Sequence, residues 1–212
     1  MKIKVGNKNL TIRKWKGKDK KAFVNSLKQE DINEMEIMDA LVYSCLEENV
    51  ILGKEEFKYV LTRIRAHSLG EDLNVEFYCD NCSNMFKRDF LINEIITSSF
   101  SDIDEIKVDD VSIKVGEIKN KKIYVDKVSE DDMYDLLLRV KSFNGDEAFT
   151  LQDLVDRFDD LDVDILEKVI NQWEDIRFKV NDVHDVDCPH CNTITKYKFD
   201  ELPGFFPENW FR

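Results

Sequence analysis

Two Cys-x-x-Cys pairs, Cys79-Asp80-Asn81-Cys82 and Cys188-Pro189-His190-Cys191, point most directly to chemistry in this chain. A two-residue spacer lets one tight turn aim two thiolates at a single ion. Two such turns complete the tetrahedral shell that zinc accepts. Four thiolates leave no position for water or substrate, so the expected ion is structural, one per chain. The residues after both pairs run in step. Lys87 and Lys196 fall five residues, and Phe90 and Phe199 eight residues, after the last cysteine of their pair. Each pair therefore reads as the tip of a similar hairpin, and two hairpins facing each other make a zinc ribbon. The 105 residues between Cys82 and Cys188 would fold beside it. Extended residues after both pairs argue against a thioredoxin-like redox pair, which opens a helix. The N-terminus, Met1-Lys2-Ile3-Lys4-Val5, lacks the apolar stretch of a secretory signal, which disfavours disulfides. Four cysteines also suit an iron–sulfur centre, and on sequence that alternative stays open.

Other reactive residue types do not assemble into a site. Cys45 falls on the apolar stripe of an expected helix and reads as a small core residue. His190 lies inside the second cysteine turn and His184 in a strand-like segment without an implied partner. Asp160, Asp162 and Asp164 resemble the start of a calcium loop, but Ile165 and Asn171 stand where that loop needs Gly and Glu. There is no phosphate-cradling glycine loop, His-Glu-x-x-His helix or Gly-x-Ser-x-Gly elbow. The expectation is a protein that is not an enzyme and has no small-molecule substrate.

The elements that must position the cysteines follow from periodicity. Residues 2–5 and 9–13 read as a strand pair turning at Gly6-Asn7. Ile37, Met38, Leu41, Val42, Cys45 and Leu46 form a helical stripe. Phe57, Val60, Leu61 and Ile64 form another, with Gly70 as its stop. Leu73, Val75 and Phe77 alternate into Cys79, and an extended pattern resumes from Phe86 to Ile92. A second hairpin is expected over residues 106–108 and 111–115, turning at Asp109-Asp110, with a further strand at 123–125. Helices are expected after Ser129, with Met133, Leu136, Leu137 and Val140 on one face, and after Thr150, each residue serving as N-cap. A longer helix is marked by Leu166, Val169, Ile170 and Trp173. The class is α+β, a zinc-ribbon-like pair of Cys-x-x-Cys hairpins with a helical subdomain and an inserted β-hairpin plus helices. The expected divisions are residues 1–95, 96–178 and 179–212, the last packing with the first.

Charge narrows the function. The 212 residues carry a net charge of −13, which weighs against nucleic acid as a partner, because phosphate binding is driven by Lys and Arg. Residues 1–30 nevertheless hold ten basic against two acidic residues, leaving 21 basic and 42 acidic in 31–212. Such polarity either orients a subunit in an assembly or forms a solvated basic edge strand. The acidic run over 146–164 reads as a solvated face or a surface for a basic partner. No apolar run is long enough to span a membrane, and a soluble intracellular protein is expected.

The segment from Glu56 to Glu71, ending in Arg65-Ala66-His67-Ser68-Leu69-Gly70 and followed by Cys79-x-x-Cys82, resembles a family of small baseplate proteins of T-even-type contractile-tailed bacteriophages. In that family an Arg-x-x-Ser-x-Gly helix end precedes one Cys-x-x-Cys pair, and a second pair near the C-terminus leads into paired phenylalanines, here Phe205-Phe206. The likeness spans roughly residues 35–92 and 180–206. It implies a late protein of baseplate hub assembly, in the host cytoplasm or retained in the virion tail, whose partners are other baseplate and hub proteins. Arg65, Ser68 and Gly70 suit a helix C-terminus physically and a partner-docking edge functionally. The aromatic tail residues Phe205, Phe206, Trp210 and Phe211 are candidate partner anchors, or they tuck back onto the domain. The rival reading is a zinc-ribbon nucleic-acid-binding regulator, favoured by Trp15 among Lys14, Lys16 and Lys18.

Overall fold

A computed structural model describes residues 1–27, 34–118 and 132–198. The strand expected at 123–125, the Ser129 cap, Phe199 and the tail from Phe205 to Phe211 lie outside these residues. The described chain packs as two units. One comprises Met1–Asn49, Phe57–Ser99 and residues from Val180 onward, the other Val50–Glu56 and Phe100–Lys179.

In the first unit, strands β1 (Lys2–Val5) and β2 (Lys8–Thr11) pair antiparallel with Ile3 opposite Leu10. The turn needs a left-handed residue, and Gly6 supplies it at φ 58°. Helix α1 (Gly17–Ser26) follows. Asp19 starts it by accepting the Lys16 N–H at 2.7 Å, while Arg13 clamps the same carboxylate through two nitrogens at 2.7 and 3.0 Å. Periodicity did not show this helix, because Phe23 is its only buried apolar residue. Phe23 packs with Ile37 and Leu41 of helix α2 (Glu34–Tyr43). The stripe through Cys45 overruns the helix, which ends at Tyr43. Cys45 is fully buried in the next turn, and burial pushes its thiol up.

Helix α3 (Lys54–Leu69) buries Val60 and Ile64 and stops where expected, at Gly70 with φ 99°. Strands β3 (Asp72–Tyr78) and β4 (Met85–Leu91) form the first cysteine hairpin, followed by the short helix α4 (Ile92–Ile95) and strand β5 (Thr97–Ser99). Leu73, Val75 and Phe77 all face inward, the strict alternation of a half-buried strand.

The second unit opens with β6 (Glu105–Val108) and β7 (Val111–Val115), turning at Asp109 with φ 51°. Helix α5 (Asp132–Arg139), strand β8 (Val140–Phe143), helix α6 (Leu151–Asp159) and helix α7 (Val163–Ile176) complete its core. Thr150 caps α6 as expected, in a reciprocal box with Asp153. One expectation fails here. Val140 does not extend the α5 face; it opens β8 and pairs with Val115 on β7, making a three-stranded sheet. Ile106, Ile113, Leu136, Phe158, Val169 and Trp173 fill the core beneath that sheet. Glu56, Asp135 and Arg139 form a nearly buried ion cluster, Arg139 lying 3.5 Å from Glu56 and 3.1 Å from Asp135. A Cβ at Gly53 would run into the Arg139 guanidinium, which could give way only by moving against its partners Glu56 and Asp135. Strand β9 (Lys179–Asn181) then leads into the second cysteine hairpin, β10 (Val183–Asp187) with β11 (Ile194–Lys198).

Candidate metal centre

The two hairpins repeat one local design. In the first, Tyr78 and Met85 are the last paired residues, and residues 79–84 cross between strands. In the second, Asp187 and Ile194 are the last pair, and residues 188–193 cross. Each crossing closes with the same two backbone hydrogen bonds. The Cys79 N–H donates to Asn84 O at 3.0 Å and the Ser83 N–H to Cys79 O at 2.7 Å. Likewise the Cys188 N–H donates to Thr193 O at 3.0 Å and the Asn192 N–H to Cys188 O at 2.9 Å. Ser83 and Asn192 both take the left-handed conformation at φ 57°, which turns the backbone so that both cysteines of a pair face one point. The in-step lysines have matching places too. Lys87 lies opposite Glu76 and Lys196 opposite Asp185, so each hairpin carries one opposite-charge cross-strand pair on its outer face.

The hairpins meet through both core and surface. Val186 of β10 joins the cluster of Leu73, Val75 and Phe77, and Tyr197 stands edge-on to Phe77 at 4.8 Å between ring centroids. Phe86 stacks on the same ring at 5.4 Å. Arg88 reaches Asp187 at 2.5 Å, and the Asn81 amide donates to the Thr193 hydroxyl at 3.0 Å. These contacts bring two loop tips, distant in sequence, to one place.

There the sulfurs of Cys79, Cys82, Cys188 and Cys191 all lie within 4.8 Å of one another. Cys79 and Cys191 are 3.6 Å apart, and Cys82 and Cys188 3.7 Å. A zinc–sulfur bond of about 2.3 Å sets a tetrahedral edge of about 3.8 Å, so the spacing fits one ion held by all four. A disulfide needs about 2.05 Å, and all four thiols are free. Within each pair the first cysteine is buried and the second half-buried. Four thiols this close share their protons. The Asn81 amide, with the Thr193 side chain and backbone, draws Cys191 down to about 5. Asn84 draws Cys82 down. The Cys82 backbone N–H favours a thiolate on Cys79, but burial and the neighbouring sulfhydryls outweigh it and push that thiol up to about 11. A cation at the centre would replace the shared protons with one charge facing all four sulfurs.

The remaining candidates lie elsewhere in the same unit. Arg65 is 5% exposed and donates to the backbone carbonyls of Gly70 and, at 3.1 Å, Asp72, so it closes the exit of α3. The Ser68 hydroxyl donates to Ile64 O at 2.6 Å and accepts the Trp15 N–H at 2.9 Å. Gly70 is exposed. His190 is exposed, and His184 lies within 2.6 Å of Ile95 O. Sequence reasoning missed Asn81, Asn84, Thr193 and the Arg88–Asp187 pair. The in-step repeat held the signal for Asn84 and Thr193, small polar residues at matching points of the two turns, but not for Asn81, whose counterpart is His190. Among the described residues no helix is long and apolar enough to cross a membrane.

Comparison with curated proteins and with solved structures yields no match. A family model described as T4 bacteriophage base plate protein matches residues 1–207, a span containing both cysteine turns and the inserted unit, so the chain belongs to that family.

Proposed function

We propose that this protein is a non-enzymatic baseplate hub subunit or hub-assembly factor, acting by binding other baseplate proteins while a single zinc ion braces its two cysteine hairpins. The observation that carries the reading is the family match over residues 1–207. Zinc is supported by the separations. Sulfurs all within 4.8 Å surround a single ion, whereas a polynuclear iron–sulfur cluster spreads its cysteines over several irons. With four thiolates on one ion, no coordination site is left for catalysis, so the ion's contribution is structural. Phe205, Phe206, Trp210 and Phe211 remain the proposed partner anchors, with Ser68 and Gly70 as a second docking edge. Arg65, being buried, would support that edge from beneath.

Two measurements on protein from infected cells test this. Co-purification should bring down baseplate proteins, and deletion of residues 205–212 should abolish that association while leaving a folded, metal-loaded chain. Elemental analysis should find about one zinc per chain; iron in its place would reassign the ion. Salt-sensitive nucleic-acid binding without protein partners would favour the regulator instead.

A further inference from the structure

At the exit of α3 lies a cavity of about 530 Å³ whose lining includes Lys14, Arg63, His67, Ser68, Gly70 and Glu71. In this chain 44 acidic residues face 31 basic ones, so cations clear of any carboxylate are a departure from the average surface. Yet among the described residues Lys14, Arg63 and His67 form no ion pair, although Glu71 lines the same cavity.

Lys14 on one side and Arg63 and His67 on the other come from two chain segments fixed against each other. The Trp15 N–H bonds to Ser68 Oγ, which pins the segment carrying Lys14 to the last turns of α3. The Arg63 guanidinium lies over the Tyr59 ring at 4.6 Å, and its Nη2 donates to Ile96 O at 3.0 Å, so its plane is set. Its Nε is buried without a hydrogen-bond partner among the described residues. The His67 imidazole is held below its usual range by burial and by the positive charges at the Met1 amine and Lys14. A helix C-terminus by itself repels anions. Here the Arg65 guanidinium, bonded to the Gly70 and Asp72 carbonyls just beyond the helix, places a positive charge beside that negative end.

We infer that this cavity binds a carboxylate-rich peptide segment of a partner protein, with Lys14 and Arg63 as its cationic contacts and the His67 imidazole as a hydrogen-bond donor beside them. The inference rests on the reading that the protein works by protein binding, and it names the chemistry of one partner. A carboxylate pairs with a planar guanidinium through two parallel hydrogen bonds. A polynucleotide instead needs a continuous cationic track, which two cations and an imidazole do not supply.

The test uses the full, zinc-loaded chain with hexaglutamate as probe and hexaglutamine as control. Hexaglutamate should bind, hexaglutamine should not, and affinity should drop several-fold between 50 and 200 mM salt. The His67 imidazole, followed by NMR, should titrate at higher pH in the bound state. Lys14→Glu and, separately, His67→Gln should each weaken binding, by about tenfold for the charge reversal, with unchanged circular dichroism and zinc content. No binding, equal binding of both peptides, full affinity in Lys14→Glu, or tighter binding of oligothymidylate would each overturn the inference. Wild-type protein that binds hexaglutamate but co-purifies with no baseplate protein upholds the cavity and sinks the hub reading. Co-purification without peptide binding does the reverse.

Discussion

Asp19 shows how much one side chain can organise. Its carboxylate starts α1 through the Lys16 N–H and takes both arms of Arg13 while only 8% exposed. The hydrogen bonds from Arg13, with that of the Lys16 backbone, hold its pKa below the usual carboxylate range. A depressed folded-state pKa contributes stability above the unfolded value of about 3.9, and that contribution is lost as pH falls through the folded one. Asp19→Asn should therefore cost about 2 kcal/mol at neutral pH, the scale of a charge-assisted hydrogen bond. Denaturant unfolding of wild type and variant should show the gap narrowing below about pH 4. Nothing in the sequence announced this residue. Asp19 lies in a run of lysines without apolar period, and its partner is fixed only once Arg13 and α1 are placed.

At the scale of elements, legibility followed the strength of the hydrophobic period. The alternation Leu73, Val75, Phe77 gave β3, and the spacing of Phe57, Val60, Leu61 and Ile64 gave α3, because each puts one face into a core. The cysteine turns were legible for a different reason: ligand spacing constrains a loop as tightly as packing constrains a strand. Val140 was misread because it falls three and four residues after Leu137 and Leu136, a helical spacing. Pairing with β7 won over that local period, since a β-branched residue gains a strand partner there. The pair β10 and β11 is short and mostly exposed, so its docking depends on Phe77, which touches Phe86, Phe90 and Tyr197. Phe77→Ala should destabilise the first unit by about 3–5 kcal/mol. In thermal melts zinc should then be released at a lower temperature than in wild type.

For the whole molecule, the two units draw on different sources of stability. The second has a continuous apolar core that includes Trp173 and Phe158. In the first, ligation of the four cysteines would contribute on the order of 10 kcal/mol. That is comparable to the entire stability of a typical domain. Chelation should therefore act on one unit and spare the other. Hydrogen exchange after zinc removal should lose protection in β3, β4, β10 and β11 and retain it in β6 through β8 and in α7. Uniform loss across both units would mean that they fold as one.

The wide separation of Cys82 from Cys188 also has a consequence for synthesis. A nascent chain on the ribosome exposes two sulfurs early and must wait for some hundred further residues before the other two emerge. The inserted unit, complete at Lys179, leaves the exit tunnel ahead of the second cysteine pair and can begin to fold while that pair is still inside. Closure of the metal site thus waits for the second pair, and polypeptides released before Cys191 would carry the middle unit but an open, metal-free ribbon.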